Sequence, residues 1–334
     1  MRTRSLVGKN IGAIGLGCMG MSAWYGPTDL DESRRALDRA VELGTTHWDT
    51  ADIYGNGGEN ERFLAEPYAR HRDRVTLATK FGNVYDPALS SHRDLADAAT
   101  ERFVDGTPEY LAKALDASLK RLNVETIDLY YLHRVDPRTP IEDTVGAMAD
   151  AVRAGKIRAI GLSECSAETL RRAHAVHPIA AVQSELSLWT RDYLHDVVPL
   201  CAELGSAFVA YSPLGRGFLT GTIRKADDLA SDDWRRGVPR FSDAGLDADA
   251  ALVQAVENVA HERDVTSAQV ALAWVLAQGE HIIPIPGTKR AKYVEQNAAA
   301  DDFTLTPEDL TQLESVATSD TDRYPADMMS RLNI

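Results

Sequence analysis

Cysteine is scarce: Cys18, Cys165 and Cys201 are all that 334 residues contain. An odd, widely spaced trio excludes a disulfide framework and points to a reduced intracellular protein. Long hydrophobic runs are missing too. No stretch of about 18 apolar residues exists, so no membrane-spanning helix is expected. The start, MRTRSLVGKN, is basic, but only short apolar stretches broken by glycine follow it. No signal-peptide h-region is visible, and a cytoplasmic protein is expected. Basic charge is in deficit, with 36 Lys+Arg against 50 Asp+Glu and a net charge of −14. That argues against nucleic-acid or anionic-membrane partners, which need clustered cations. An anionic small ligand stays open, because a pocket can oppose the global sign. Low-complexity linkers and internal repeats are also lacking, so nothing divides residues 1–334 into two domains.

What is present is alternation. Short runs rich in Ile, Val, Leu and aromatics, bounded by turn residues, read as strands at 11–17, 45–50, 75–82, 126–133, 157–164, 180–187, 207–214 and 282–288. Being near-continuously apolar, they suit parallel strands covered on both faces. Helical patterns lie between them. Residues 31–44 space Ala36, Leu37, Ala40, Val41 and Leu43 helically and end in Gly44; 107–123 opens Thr107-Pro108; 166–177 opens at Ser166; 266–279 opens at Thr266 with Gln269 three residues on. Eight strand-helix units predict a single (β/α)8 barrel rather than an open sheet. Two connections, 82–106 and 215–246, read as long βα loops, the second leading to an extra helix near 247–264 before the last strand. Loops that follow barrel strands form the active face, so both are functional candidates.

Gly15-Leu-Gly-Cys-Met-Gly20 is a literal GxGxxG. A dinucleotide fingerprint needs a helix to begin at the motif. Here Gly26 and Pro27 intervene and no helix begins before about Asp29, so a glycine-rich strand end and tight loop is the better reading. A short-chain dehydrogenase would also need Tyr-x-x-x-Lys, and none of the eleven tyrosines has a lysine four residues on. The strand ends are more informative. The second strand runs into Asp49-Thr-Ala-Asp-Ile-Tyr54-Gly, the third ends at Lys80 and the fourth at His133. An acid, a phenol, an ammonium and an imidazole on three consecutive strand ends converge on one mouth. An ammonium lowers a neighbouring phenol's pKa, a carboxylate keeps the ammonium charged and placed, and an imidazole orients a carbonyl or relays a proton. This apparatus protonates an oxygen while a hydride reaches carbon, and the hydride must come from a cofactor. The other histidines show no metal-ligand spacing, and no metal is expected.

Asp49, Tyr54, Lys80 and His133 resemble the Asp/Tyr/Lys/His tetrad of the aldo-keto reductase superfamily. The likeness runs from Gly15 through Ile285-Pro-Gly-Thr288, and 132–137 with 187–192 look like the branch of pyridoxal reductase and perakine reductase. The resemblance implies NADPH-dependent reduction of a small carbonyl substrate. Tyr54 would be the general acid, Lys80 would lower its pKa, Asp49 would hold Lys80 and His133 would orient the carbonyl. It also implies that Ser163 and Gln183 hold the nicotinamide carboxamide and that Tyr211 stacks on the ring. Met19, Ser212, Pro213, Leu214, Arg216 and Gly217 match cofactor contacts, the last five in the pyrophosphate loop after the seventh strand. Gly287, Thr288, Lys289, Gln296 and Asn297 match the adenosine 2′-phosphate and adenine site. Glu164 stands where the family more often has Asn; a carboxylate accepts but cannot donate, so its part in holding the carboxamide is open. Trp24, Tyr25 and Trp189 would line the substrate mouth. Two rival readings remain at this point: a Rossmann-type dehydrogenase, and a non-catalytic or very slow nicotinamide-binding barrel acting as redox sensor or partner subunit.

Overall fold

The computed structural model describes residues 1–22, 24–55, 57–98, 103–329 and 332. β1 (Thr3–Leu6) and β2 (Lys9–Gly12) form an antiparallel hairpin. Eight strands then pair in chain order as one parallel sheet: β3 (Leu16–Gly17), β4 (His47–Asp49), β5 (Thr76–Phe81), β6 (Ile127–Leu132), β7 (Ile157–Ser163), β8 (Ile179–Glu185), β9 (Ala207–Tyr211) and β10 (Ile282–Pro284). The sheet meets itself where Gly17 bridges Gly287 in parallel. There the Gly15 N–H donates to the Pro284 carbonyl at 2.9 Å and the Gly17 N–H to that of Pro286 at 3.3 Å. The result is the (β/α)8 barrel read from the alternation.

Among the described residues the α-helices are α1 (Leu30–Leu43), α2 (Glu59–His71), α3 (Arg93–Ala98), α4 (Pro108–Leu122), α5 (Ile141–Arg153), α6 (Ala167–Val176), α7 (Val197–Leu204), α8 (Asp243–Ala248), α9 (Ala250–Glu262), α10 (Ser267–Ala277), α11 (Ala291–Ala298), α12 (Pro307–Glu314) and α13 (Ala326–Met329). Caps fix their starts. Asp29, Thr107, Ser166 and Thr266 each accept backbone N–H bonds from the first turn they precede, and Thr266 and Gln269 complete a reciprocal box. α1 buries Ala36, Leu37, Ala40 and Val41 and stops at Gly44, φ +88°.

The barrel interior holds Ala78, Leu129, Tyr131, Ala159, Ala181, Val209 and Ile283, joined by Leu6 and Ile11 from the hairpin. Gly161 leaves the room that Tyr131 fills: a Cβ there would lie 2.3 Å from the ring. A larger apolar layer separates the sheet from the helices.

Three expectations change. The run 11–17 is not one strand: its first half pairs with β1 and only Leu16–Gly17 joins the barrel. At the break, a Cβ on Gly12 would sit 2.1 Å from the Gly44 carbonyl, so this chain crossing admits only glycine. The loop 82–106 carries a 3-10 turn at Pro87–Leu89 and the short α3, with residues 99–102 outside the described set. The loop 215–246 is a chain of 3-10 turns running into α8, and the extra helix is α9.

Candidate active site

β4, β5 and β6 end side by side, and parallel register sets Asp49 opposite Ala78 and Lys80 opposite Tyr131. Lys80 is fully buried. Its Nζ donates to Asp49 Oδ1 at 2.5 Å, to the Thr50 carbonyl at 2.8 Å and to the Tyr54 hydroxyl at 3.3 Å, which uses all three ammonium protons. The other oxygen of Asp49 accepts from Gln183 Nε2 at 2.7 Å.

The turn that presents Tyr54 is fastened on both sides. The Thr50 and Asp52 N–H groups donate to the Ala78 and Lys80 carbonyls, and the Tyr54 N–H donates to the Ala51 carbonyl. Gly55 follows in the left-handed region at φ +75°, where a Cβ would lie 2.7 Å from that of Glu59. Asn60, at the start of α2, gives its N–H to the Tyr54 carbonyl at 3.1 Å. Its side chain donates to the Cys18 carbonyl and Ser22 Oγ and accepts from Thr50 Oγ1. The Tyr54 turn is thereby tied to the loop after β3. The His133 ring stands 5.9 Å from that of Tyr54 at 83°, and Trp24 stands 5.8 Å away on an edge contact. The four tetrad residues and Trp24 are brought together.

The charge balance differs from the sequence expectation in one respect. Burial raises the Tyr54 pKa, the Lys80 ammonium pulls it down, and Asp49 raises it again; the phenol ends above its ordinary value, not below. The sign of the Lys80 effect is as expected, but desolvation outweighs it. Burial pulls Lys80 down, yet Asp49 and Tyr54 more than offset that and hold the ammonium above its ordinary value.

Ser163, ending β7, is buried, and its Oγ accepts from Arg134 Nη1 at 3.3 Å. Sequence reasoning did not give Arg134 a role, although it directly follows His133. Glu164 sits in the left-handed region at φ +56° and is fully buried. Its oxygens accept from the Glu185 N–H, the Tyr193 hydroxyl and Arg323 Nη2. Beyond β9, Ser212, Gly215, Arg216 and Gly217 all have positive φ, which curls the Ser212–Gly217 loop with Pro213 and Leu214 inside it. Arg216 is spent on protein partners: Nη2 donates to Glu185 Oε2 at 2.7 Å and Nη1 to the Arg323 carbonyl at 3.0 Å.

On the same rim, next to β9, Gly287 and Thr288 follow β10, and Gln296 and the buried Asn297 lie on α11. Lys289 Nζ is turned onto the loop after β3, donating to the Tyr25, Gly26 and Pro27 carbonyls at 2.8, 3.1 and 2.8 Å. The N–H of Ala291, first residue of α11, donates to Glu32 Oε1 at 3.1 Å. Met19 lies in the 3-10 turn Met19–Met21 after β3. Tyr25 packs on Trp234 at 6.1 Å and under Arg235, joining the first loop to the long seventh one. Trp189, expected at the mouth, is held within the packing. It is 2% exposed, donates from Nε1 to Asp249 at 2.6 Å and packs on Phe218 at 4.1 Å. These contacts make the aromatic an anchor for the long loop.

One histidine cluster escaped the sequence. His92, Asp105 and Asp136 converge from the 82–106 loop and the loop after β6. Their carboxylates accept from Ser90, Ser91, Thr107, Gly106, Thr139 and His92 itself, which ties the two loops together.

Comparison with known proteins places these observations. The sequence model of the aldo/keto reductase family matches residues 13–318. The chain is 44% identical over 303 residues to a Schizosaccharomyces pombe protein named aldo-keto reductase yakc, NADP(+), covering 89% of this chain and 86% of that one. A glycerol dehydrogenase structure from Gluconobacter oxydans superposes with a TM-score of 0.82 at 27% identity, covering 96% of this chain and 98% of that one. The fold of an aldo-keto reductase from Bacillus halodurans, in holo form, matches with a TM-score of 0.72 at 23% identity, over 96% and 98% of the two chains.

Proposed function

Because the chain belongs to the aldo/keto reductase family, we propose that it reduces aldehydes or ketones to alcohols with NADPH, acting at the CH–OH level of oxidation. The observation that carries this reading is the Lys80 ammonium, buried and held between Asp49 and the Tyr54 hydroxyl. The residues on the rim fit a dinucleotide. Arg323 Nε is a buried donor without a hydrogen-bond acceptor in the protein, and the left-handed turns at 212–217 form the kind of backbone curl that presents N–H groups to an anion. Ser163, Gln183 and Tyr211 would hold the nicotinamide end, Met19 and the 212–217 loop the middle, and Gly287–Lys289 with Gln296 and Asn297 the adenosine end. The NADP(+) in the name of the Schizosaccharomyces pombe relative supports the same cofactor.

Bound there, NADPH supplies a hydride to the carbonyl carbon. The chain's own part is to place and protonate the oxygen. Edge contacts set the His133 ring and Trp24 against the Tyr54 ring, so the space reached by the Tyr54 hydroxyl would lie beside both. A carbonyl in that space would take its proton from the Tyr54 hydroxyl, and Lys80 would stabilise the phenolate left behind. All three cysteines are buried and free, which supports the cytoplasmic setting expected from the sequence.

The test follows NADPH oxidation with an aromatic aldehyde. Tyr54→Phe is expected to lower turnover about 10²–10⁴-fold, with NADPH affinity unchanged in a fluorescence titration. Turnover near that of the wild type would refute the assignment of the acid.

A further inference from the structure

The group least explained by the site lies beyond the stretch that the family model matches, which ends at residue 318. After α12 the chain runs back across the mouth and is fastened at three points. The Ser319 N–H donates to Asp249 at 2.7 Å, Arg240 Nε donates to the Thr321 carbonyl at 2.9 Å, and Arg216 Nη1 donates to the Arg323 carbonyl at 3.0 Å. These ties deliver Arg323 to the ends of β7 and β8. Its side chain is 6% exposed. Nη2 donates to Glu164 at 2.9 Å, and Nη1 stops 3.7 Å from Glu185, beyond hydrogen-bond reach. Nη1 meets Glu185 only as an ion pair, and Nε is left buried with no hydrogen-bond acceptor. Buried donors are paired in all but a few cases, so the Nε–H calls for an oxygen that the protein does not provide. Tyr324 carries the same segment to the nicotinamide end: Arg216 lies 4.2 Å over its ring, and its hydroxyl is 3.3 Å from that of Tyr211.

Glu164 gives this geometry its meaning. It occupies the position next to Ser163, and every hydrogen bond it makes is accepted from within the protein. It cannot donate to a carboxamide oxygen. The guanidinium it anchors can.

We propose that Arg323 is a cofactor-site residue, held in place by Glu164, whose Nε–H donates to the carboxamide oxygen of the nicotinamide and supplies the donor that Glu164 lacks. This rests on the reductase reading above and deepens it. It makes the segment after α12 part of the nicotinamide pocket rather than a covering over it.

The experiment is calorimetric titration of Arg323→Met with NADP+ and, separately, with 2′,5′-ADP, which lacks the nicotinamide half. Circular dichroism and thermal melting check the fold. Loss of a charge-assisted bond predicts NADP+ affinity down about tenfold or more, with 2′,5′-ADP held within about twofold on the same reasoning. Wild-type affinity for NADP+, or equal losses for both ligands, overturns the proposal; equal losses would mean that the segment only holds the mouth together. If Arg323→Met does not fold, Arg323→Lys decides. It keeps the charge facing Glu164 but not the planar fork, so NADP+ binding should still weaken severalfold while 2′,5′-ADP binding does not, and unchanged NADP+ binding overturns the role. A wild-type protein that binds neither ligand refutes the reductase reading itself, whereas wild-type binding with an unaffected variant refutes only the role of Arg323.

Discussion

Lys80 keeps a charge where burial opposes one, because each of its protons has an acceptor and one acceptor is the Asp49 carboxylate. The consequence falls on Tyr54. Desolvation holds the phenol above its ordinary value, with Lys80 pulling against it, so the proton stays on Tyr54 throughout the neutral range. A reduction that consumes this proton needs the protonated form. Its rate should be level through neutral pH and fall as pH rises through the Tyr54 pKa, above about 10. Alcohol oxidation needs the phenolate and should rise over the same interval. Lys80→Met removes the downward pull, so the alkaline limb should move to higher pH and reduction at neutral pH should fall about 10²-fold or more. The kcat profile of the folded variant checks both. A wild-type rate with an unmoved limb would leave Lys80 a structural ion.

Among the elements, α11 and α1 meet at the proposed adenosine end with polar groups already engaged. A helix N-terminus favours anions, and at Ala291 that place is taken by the Glu32 carboxylate, held below its ordinary pKa by Arg35 and by the Ala291 N–H. A 2′-phosphate arriving there competes with Glu32. Glu32→Gln is therefore expected to raise NADPH affinity roughly two- to fivefold relative to NADH, the scale of one charge at a helix terminus. Lys289→Ala should weaken NADPH about tenfold and spare NADH if the ammonium leaves its loop carbonyls for the phosphate. Equal loss for both cofactors would instead show that its work is tying down residues 25–27. The same elements mark what the sequence makes legible. Capping is local, so Asp29, Thr107, Ser166 and Thr266 announce their helices. The tetrad is legible because apolar strands end in polar groups at Asp49, Lys80 and His133. α2 is hidden by Pro67 inside it. The hairpin is hidden because β2 runs on toward β3 with no polar break. Long-range partners leave no local trace: Gln183 on Asp49 spans 134 positions and Arg323 on Glu164 spans 159. Trp189 reads as a mouth residue because a loop aromatic looks the same from sequence whether it faces solvent or, as here, Asp249 and Phe218.

At the scale of the molecule, one closed sheet sets all these groups around one rim. The ends of β4, β5 and β6 bring together Asp49, Tyr54, Lys80 and His133, the proposed acid and its tuning groups, and β7, β8 and β9 supply Ser163, Gln183 and Tyr211. The seam between β10 and β3 is the thinnest join, a single bridge at Gly17–Gly287 with two glycine N–H bonds. The proposed cofactor contacts lie on both sides of it, Met19 after β3 and Gly287–Lys289 after β10, so a bound dinucleotide would staple the join. A ligand that binds only the folded chain stabilises it by mass action, about 2.7 kcal/mol at a hundred times Kd. With an unfolding entropy of about 2.1 cal/mol/K per residue over 334 residues, the melting temperature should rise roughly 4 °C. Tyr54→Phe should keep this rise, since the phenol hydroxyl is directed to Lys80 and the substrate space, while Lys289→Ala should lose about half of it, as a tenfold weaker ligand gives about 1.4 kcal/mol less. Differential scanning calorimetry at fixed NADPH separates these cases, and a wild-type melting point that ignores NADPH at millimolar excess would remove the dinucleotide from the rim.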